Sequence, residues 1–202
     1  MKRFYFLLIA IAFFTCGQKN KDNFELKTNL TFGEKLAQSA ISIINPNVIY
    51  DPTYTSIKYP NGDVSKIKGV CTDVIIRSYR KLDIDLQKEV HEDMKSNFEK
   101  YPKTWKLKKT DTNIDHRRVP NLEVFFERKG NKLPVSKNPM DYKTGEIVTW
   151  MIGKKFPHIG IVTNIKSSDK LRPMLVHNVG GGQVLEDCLF RYEIVGHFKY
   201  EK

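Results

Sequence analysis

The sequence predicts an α+β fold in which N-terminal helices pack on a C-terminal antiparallel sheet, and three observations carry that expectation. Apolar residues recur at helical spacing between about residue 36 and residue 98, whereas short β-branched runs separated by turn residues dominate the last third. Helices first and a meander of strands last is the order of an α+β domain. The length, 202 residues with 40% hydrophobic composition, is enough to bury one sizeable core.

The N-terminus reads Met1-Lys2-Arg3, an apolar run from Phe4 to Phe14, and Thr15-Cys16-Gly17. A charged start followed by a run too short to span a bilayer predicts an export signal over residues 1–16. Cys16 resembles the lipobox cysteine of bacterial lipoprotein signals, which becomes N-terminal and lipidated. The expectation is therefore a protein anchored to the bacterial cell envelope and facing the periplasm; the alternative is cleavage near Gly17 and secretion. Residues 17–30 would form a polar tether and residues 31–202 a single domain.

Within that domain, Thr31-Phe32-Gly33-Glu34 has the form of a helix cap, and Leu36, Ala37, Ala40, Ile41 and Ile44 predict a helix over about 34–45, stopped by Asn45-Pro46. Tyrosine and turn residues from Tyr50 to Asp63 predict an ordered loop leading to Cys71. After Cys71, Val74, Ile75, Ser78, Tyr79 and Leu82 share one helix face, with Arg77, Arg80 and Lys81 opposite. A further helix opens at Asp85-Leu86-Gln87 and ends at Tyr101-Pro102; a short one starts at Val119-Pro120-Asn121-Leu122. Strands are predicted at Ile147–Met151, 158–164, 175–179 and 192–200.

The formal charge of +11 falls by two when Lys2 and Arg3 leave with the signal. Scattered lysines predict a solvated basic surface with some attraction to an anionic envelope, and the lack of an aromatic-interleaved basic motif argues against nucleic acid. Beyond Cys16 the cysteines are Cys71 and Cys188. A bridge between them is possible in an oxidising compartment, but the chain is not cysteine-dense, and Cys188 reads as a small packing residue.

Cys71 is the candidate nucleophile. A thiol at a helix N-terminus meets unpaired N–H groups and the positive end of the helix dipole, which favour the thiolate and can bind an oxyanion. His158, at the head of His158-Ile159-Gly160-Ile161-Val162, is the candidate base, and His177, in Val176-His177-Asn178, the group that orients it. Asp73, in the first helical turn, reads as a cap or a substrate contact, and its charge would raise the thiol pKa. Arg117, within Asp115-His116-Arg117-Arg118, reads either as a fork for a substrate carboxylate or as part of an internal ion-pair knot. Tyr54 and Tyr59 precede Cys71 at distances that resemble those at which related hydrolases place a tyrosine near the oxyanion, with loop packing as the alternative, while His91 and His197 read as structural.

The order Cys71, His158-Ile159-Gly160-Ile161-Val162, His177 resembles the NlpC/P60 branch of the papain-like cysteine peptidases. The resemblance implies a papain-like NlpC/P60-type fold, with Cys71 as nucleophile, His158 as general base and then acid, and His177 as its orienting partner. Val70-Cys71-Thr72-Asp73 stands where that family has Asp-Cys-Ser-Gly, and the segment from Val162 to Met174 is longer than its counterpart. The stretch from Tyr50 to Tyr200 resembles the bacterial family DUF1287 more closely, through Tyr50-Asp51-Pro52, His91-Glu92-Asp93-Met94, Ile114-Asp115-His116-Arg117-Arg118-Val119-Pro120-Asn121-Leu122 and His177-Asn178. That family is grouped with the papain-like peptidases.

The expected function is cleavage of an amide bond in cell-wall peptide, or in another acylated substrate, by Cys-His-His catalysis without cofactor or metal. Tyr54, Tyr59, Asp73, His116, Arg117 and Asn178 are the candidate substrate contacts. Two alternatives stand beside it: a non-catalytic envelope-binding lipoprotein that keeps the groove, and a metal hydrolase using His158, His177 and His116, for which no short-spaced ligand pair is present.

Overall fold

Thr31 closes the first helix as its sequence predicts: its hydroxyl accepts from Glu34 N–H at 3.2 Å and the Glu34 carboxylate accepts from Thr31 N–H at 2.8 Å. The computed structural model describes residues 29–202, so the export signal, Cys16 and most of the tether lie outside the described residues. Helix α1 (Phe32–Ile41) ends four residues earlier than its apolar spacing predicts, because the backbone of Asn45 is captured in a bridge to Gln183, with N···O distances of 2.8 and 3.0 Å. Two short strands, β1 (Ile49–Tyr50) and β2 (Lys68–Gly69), then pair in parallel and bring the chain to α2 (Cys71–Arg80).

Asp85 caps α3 (Leu86–Ser96) by accepting from Gln87 N–H. The helix stops short of Tyr101, where a 3₁₀ turn over 98–100 takes over and Asn97 donates to the Asp93 carbonyl at 3.0 Å. A second 3₁₀ turn, Asp115–Arg117, leads into α4 (Val119–Lys129), whose early Pro120 costs no helical hydrogen bond.

The remaining strands are β3 (Asn131–Lys132), β4 (Ile147–Ile152), β5 (Phe156–Lys166), β6 (Pro173–His177), β7 (Val184–Glu186) and β8 (Glu193–Lys199). They form one antiparallel sheet in the order β3-β8-β4-β5-β6-β7. The fold is α+β, with four α-helices and this sheet among the described residues. The segment from Val162 to Met174 is largely a hairpin, with Lys166 paired to Pro173, and β6 ends at His177 rather than running to Val179.

Strand alternation sorts side chains to two faces. Ile147, Ile159, Ile161, Val176 and Phe198 join the helices in one apolar cluster with Leu36, Val74, Ile75, Leu122 and Phe126. Val148, Trp150, Val162 and Leu175 form a second with Tyr142, Leu189 and Cys188. Cys188 is buried there, and it and Cys71 are both free thiols. No helix among the described residues is long and apolar enough to cross a membrane.

Candidate active site

Cys71 is the first residue of α2, preceded by Val70 in an extended conformation. Asp73 makes this start: its carboxylate accepts from Val70 N–H at 2.7 Å, and Arg117 forks onto both of its oxygens at 3.0 and 2.9 Å. The pair is almost wholly enclosed, with side-chain exposures of 2% and 4%. Of the two readings of each residue, the structure places Asp73 as cap and Arg117 in an internal ion pair. Arg77, on the face of α2 expected to meet solvent, instead reaches Asp63, the carbonyls of Ser65 and Lys68, and Gln183 Oε1. It thereby fixes the loop that enters α2.

The Cys71 sulfur rests against β5 at the N–H of Ile159, one residue from His158, and receives further contacts from the Thr72 N–H and the Tyr50 hydroxyl. The helix dipole favours an ionised thiol and the Asp73 charge opposes it; in the structure the opposing effects win. Burial first, and the Asp73 charge second, push the Cys71 thiol up to about 12. The sequence places Tyr50 at the head of the entry loop and makes Tyr54 and Tyr59 the oxyanion candidates. The structure places Tyr54 on Asp111 and Asn113 and packs Tyr59 edge-on against His91 with ring centroids 5.2 Å apart. The β1–β2 pairing that aims Tyr50 is two residues long and leaves no periodicity to read.

His158 and His177 meet directly, Nε2 to Nδ1 at 2.8 Å, on the side of the sheet that carries Trp150, on which His158 stacks. Gly160 makes this possible, since a Cβ there would lie 3.2 Å from both His177 Cβ and the Trp150 ring. His177 Nε2 in turn lies 3.3 Å from Glu186 Oε2, which also holds Arg191 at 2.5 Å. A carboxylate can only accept, so His177 carries its proton on Nε2 and offers Nδ1 as acceptor; His158 must then donate from its own Nε2, leaving Nδ1 as a bare lone pair. Glu186 thus sets both tautomers. It escaped the sequence reading because β7 spans only three residues.

Burial, then the neighbouring imidazole, lowers His158 to about 3, and burial lowers His177 as well. Asn178 holds the end of β6 to the entry of α2, with its amide 3.5 Å from the Gly69 carbonyl and its Oδ1 accepting from Gly180 N–H at 3.0 Å. His116 sits apart from the other two imidazoles, buried among the charges of Arg117 and Arg80, with Nδ1 unpartnered. Among the described residues no three His, Cys, Asp or Glu side chains converge as metal ligands.

The buried histidines predict how stability depends on pH. His116 and His158 are both lowered to about 3 in the native protein against 6.5 when unperturbed, so below 6.5 the unfolded chain binds protons that the native state refuses. Their contribution is complete above that pH and is lost toward 3. Asp115 acts oppositely and more weakly: burial raises it to about 6, so its native carboxyl keeps a proton between about 4 and 6. Urea midpoints should therefore fall between pH 7 and pH 5, and His116→Gln should flatten that fall.

The thiol opens onto a cleft of about 190 Å³ whose lining includes Tyr50, Cys71, Trp105, Arg118, Val119 and Pro157. No solved structure matches this chain significantly. It is 47% identical over 176 residues to the Uncharacterized protein YijF of Escherichia coli (strain K12), covering 87% of this chain and 83% of that protein. The model of DUF1287, a domain of unknown function, matches residues 37–200, and with that span of α2, α4 and the whole sheet the chain belongs to the DUF1287 family.

Proposed function

We propose that the protein is an exported cysteine hydrolase of papain-like, NlpC/P60-type descent that cleaves an amide bond in cell-wall peptide. The observation that supports this reading is the adjacency on β5 of Ile159, whose N–H meets the Cys71 sulfur, and His158, the end of the hydrogen-bonded chain from Glu186 through His177. His158 faces Trp150 whereas Cys71 packs in the helix-side cluster, so the mechanism requires the imidazole to reach the sulfur when substrate binds. Nδ1 takes the thiol proton as sulfur attacks the carbonyl carbon. The same proton then passes to the leaving amine as the C–N bond breaks, and water hydrolyses the thioester with His158 again as base.

Burial disfavours thiolate and imidazolium taken singly. Formed together, the ions attract, so the resting pair is neutral and charge separates only as substrate is attacked. In this mechanism Tyr50 O–H and the N–H groups at the start of α2 receive the developing oxyanion. Tyr50→Phe is expected to lower kcat by about 10²-fold with little change in KM. An equal rise in KM instead would assign the hydroxyl to ground-state binding.

The deciding experiment is digestion of purified peptidoglycan by the wild type and by Cys71→Ala, with new termini identified by mass spectrometry. New amino termini from the wild type alone support the reading; release by both proteins, or by neither, sinks it for this polymer. The neutral, buried thiol favours a second reading, a groove that binds envelope peptide without cutting it. Cosedimentation with peptidoglycan that survives Cys71→Ala while no termini appear would select it.

A further inference from the structure

We propose that Arg118, held over the ring of Trp105, is a carboxylate-binding element of the Cys71 cleft, so that the substrate is a peptide or acyl amide with a free carboxylate near the scissile bond. The word scissile rests on the hydrolase reading; the binding does not.

Two adjacent arginines differ in what they hold. Arg117 forks onto Asp73, whereas Arg118 donates no hydrogen bond among the described residues and its buried Nη1 has only the ion pair to Asp115. Its nearest carboxylate oxygen, Asp115 Oδ1, stands at 3.7 Å from Nη1, beyond hydrogen-bond range. The guanidinium carbon lies 4.3 Å from the Trp105 ring centroid, a cation–π contact that restrains the fork before any ligand arrives. Both side chains line the same cleft as Cys71.

The surroundings favour an anion independently. Arg118 is the N-terminal cap residue of α4, and Val119 and Pro120 of its first turn line the cleft opposite Cys71, the first residue of α2. Two helices of 11 and 10 residues thus present their positive ends to one cavity. Ile114, Val119, Pro120 and Pro157 supply apolar walls, which strengthen a charge-assisted fork by keeping water away.

The test uses the full-length Cys71→Ala protein and the fluorescence of Trp105, with Trp105→Phe to subtract the signal of the buried Trp150. N-acetylglycine should give a saturable change and N-acetylglycinamide none. Arg118→Gln should weaken the acid by at least about tenfold, and Arg118→Lys, which keeps the charge but loses the fork, should fall between. Equal response to acid and amide, no response to either, or unchanged affinity in Arg118→Gln overturns the proposal. If Arg118→Gln does not fold, the preference for acid over amide decides. Because the thiol is absent throughout, failure of peptidoglycan cleavage by the wild type leaves this result standing, and the reverse also holds.

Discussion

Alanine at Cys71 and alanine at His158 are each expected to reduce amide hydrolysis by at least about 10⁴-fold, and the double variant by no more than either alone. In the proposed mechanism nucleophile and base act as one unit: without the imidazole the neutral thiol has no acceptor for its proton, and without sulfur the base has nothing to activate. The chain behind His158 makes a graded series. His177→Ala removes the group that fixes the His158 tautomer and should cost about 10²-fold, whereas Glu186→Gln, one hydrogen bond further out, should cost about tenfold. Initial rates of terminus release from peptidoglycan measure all five variants. Multiplicative losses in the double variant would show that Cys71 and His158 do not share a step.

Asp73→Ala is expected to lower unfolding free energy by about 3–5 kcal/mol, a large part of the roughly 5–15 kcal/mol that holds a domain together. The change leaves the Arg117 guanidinium enclosed without its counter-ion and Val70 N–H without its acceptor. Both losses fall on the first turn of α2, so the entry to Cys71 should loosen before the whole domain does. Urea denaturation followed by far-UV circular dichroism gives the global cost, and amide exchange at Thr72 and Val74 the local one. Removing both charges, as in Asp73→Leu with Arg117→Leu, should recover part of the loss, because the largest penalty is the unpaired buried ion rather than the missing pair. A single variant as stable as the wild type would contradict the placement of the pair.

Local signals were legible wherever they are short in sequence. The Thr31–Glu34 box, the Asp85 cap and the apolar faces of α1 and α2 follow from spacing alone, because a helix satisfies its own backbone. Alternation likewise placed β4, β5, β6 and β8, and the small apolar character of Cys188 in a cysteine-poor chain its burial. Where a boundary depended on distant chain it was misplaced: α1 stops at Ile41 because Gln183 takes the Asn45 backbone, a contact 138 residues away in sequence.

The candidate site divides the same way. Sequence by itself determined the α+β class, the helix that begins at Cys71, the strands that present His158 and His177, and the buried role of Cys188. Tertiary structure alone decided that Tyr50 and not Tyr54 or Tyr59 reaches the sulfur, that Glu186 stands behind His177, and that Arg117 is consumed by Asp73 while its neighbour Arg118 is left on Trp105. It also reversed the expected ease of ionising Cys71, since the helix N-terminus favours a thiolate by a local field whereas burial opposes it with the whole of the surrounding apolar packing. Periodicity reports which face of an element is covered; it carries no information about which polar groups from separate elements meet across that cover, and those meetings set proton position and charge.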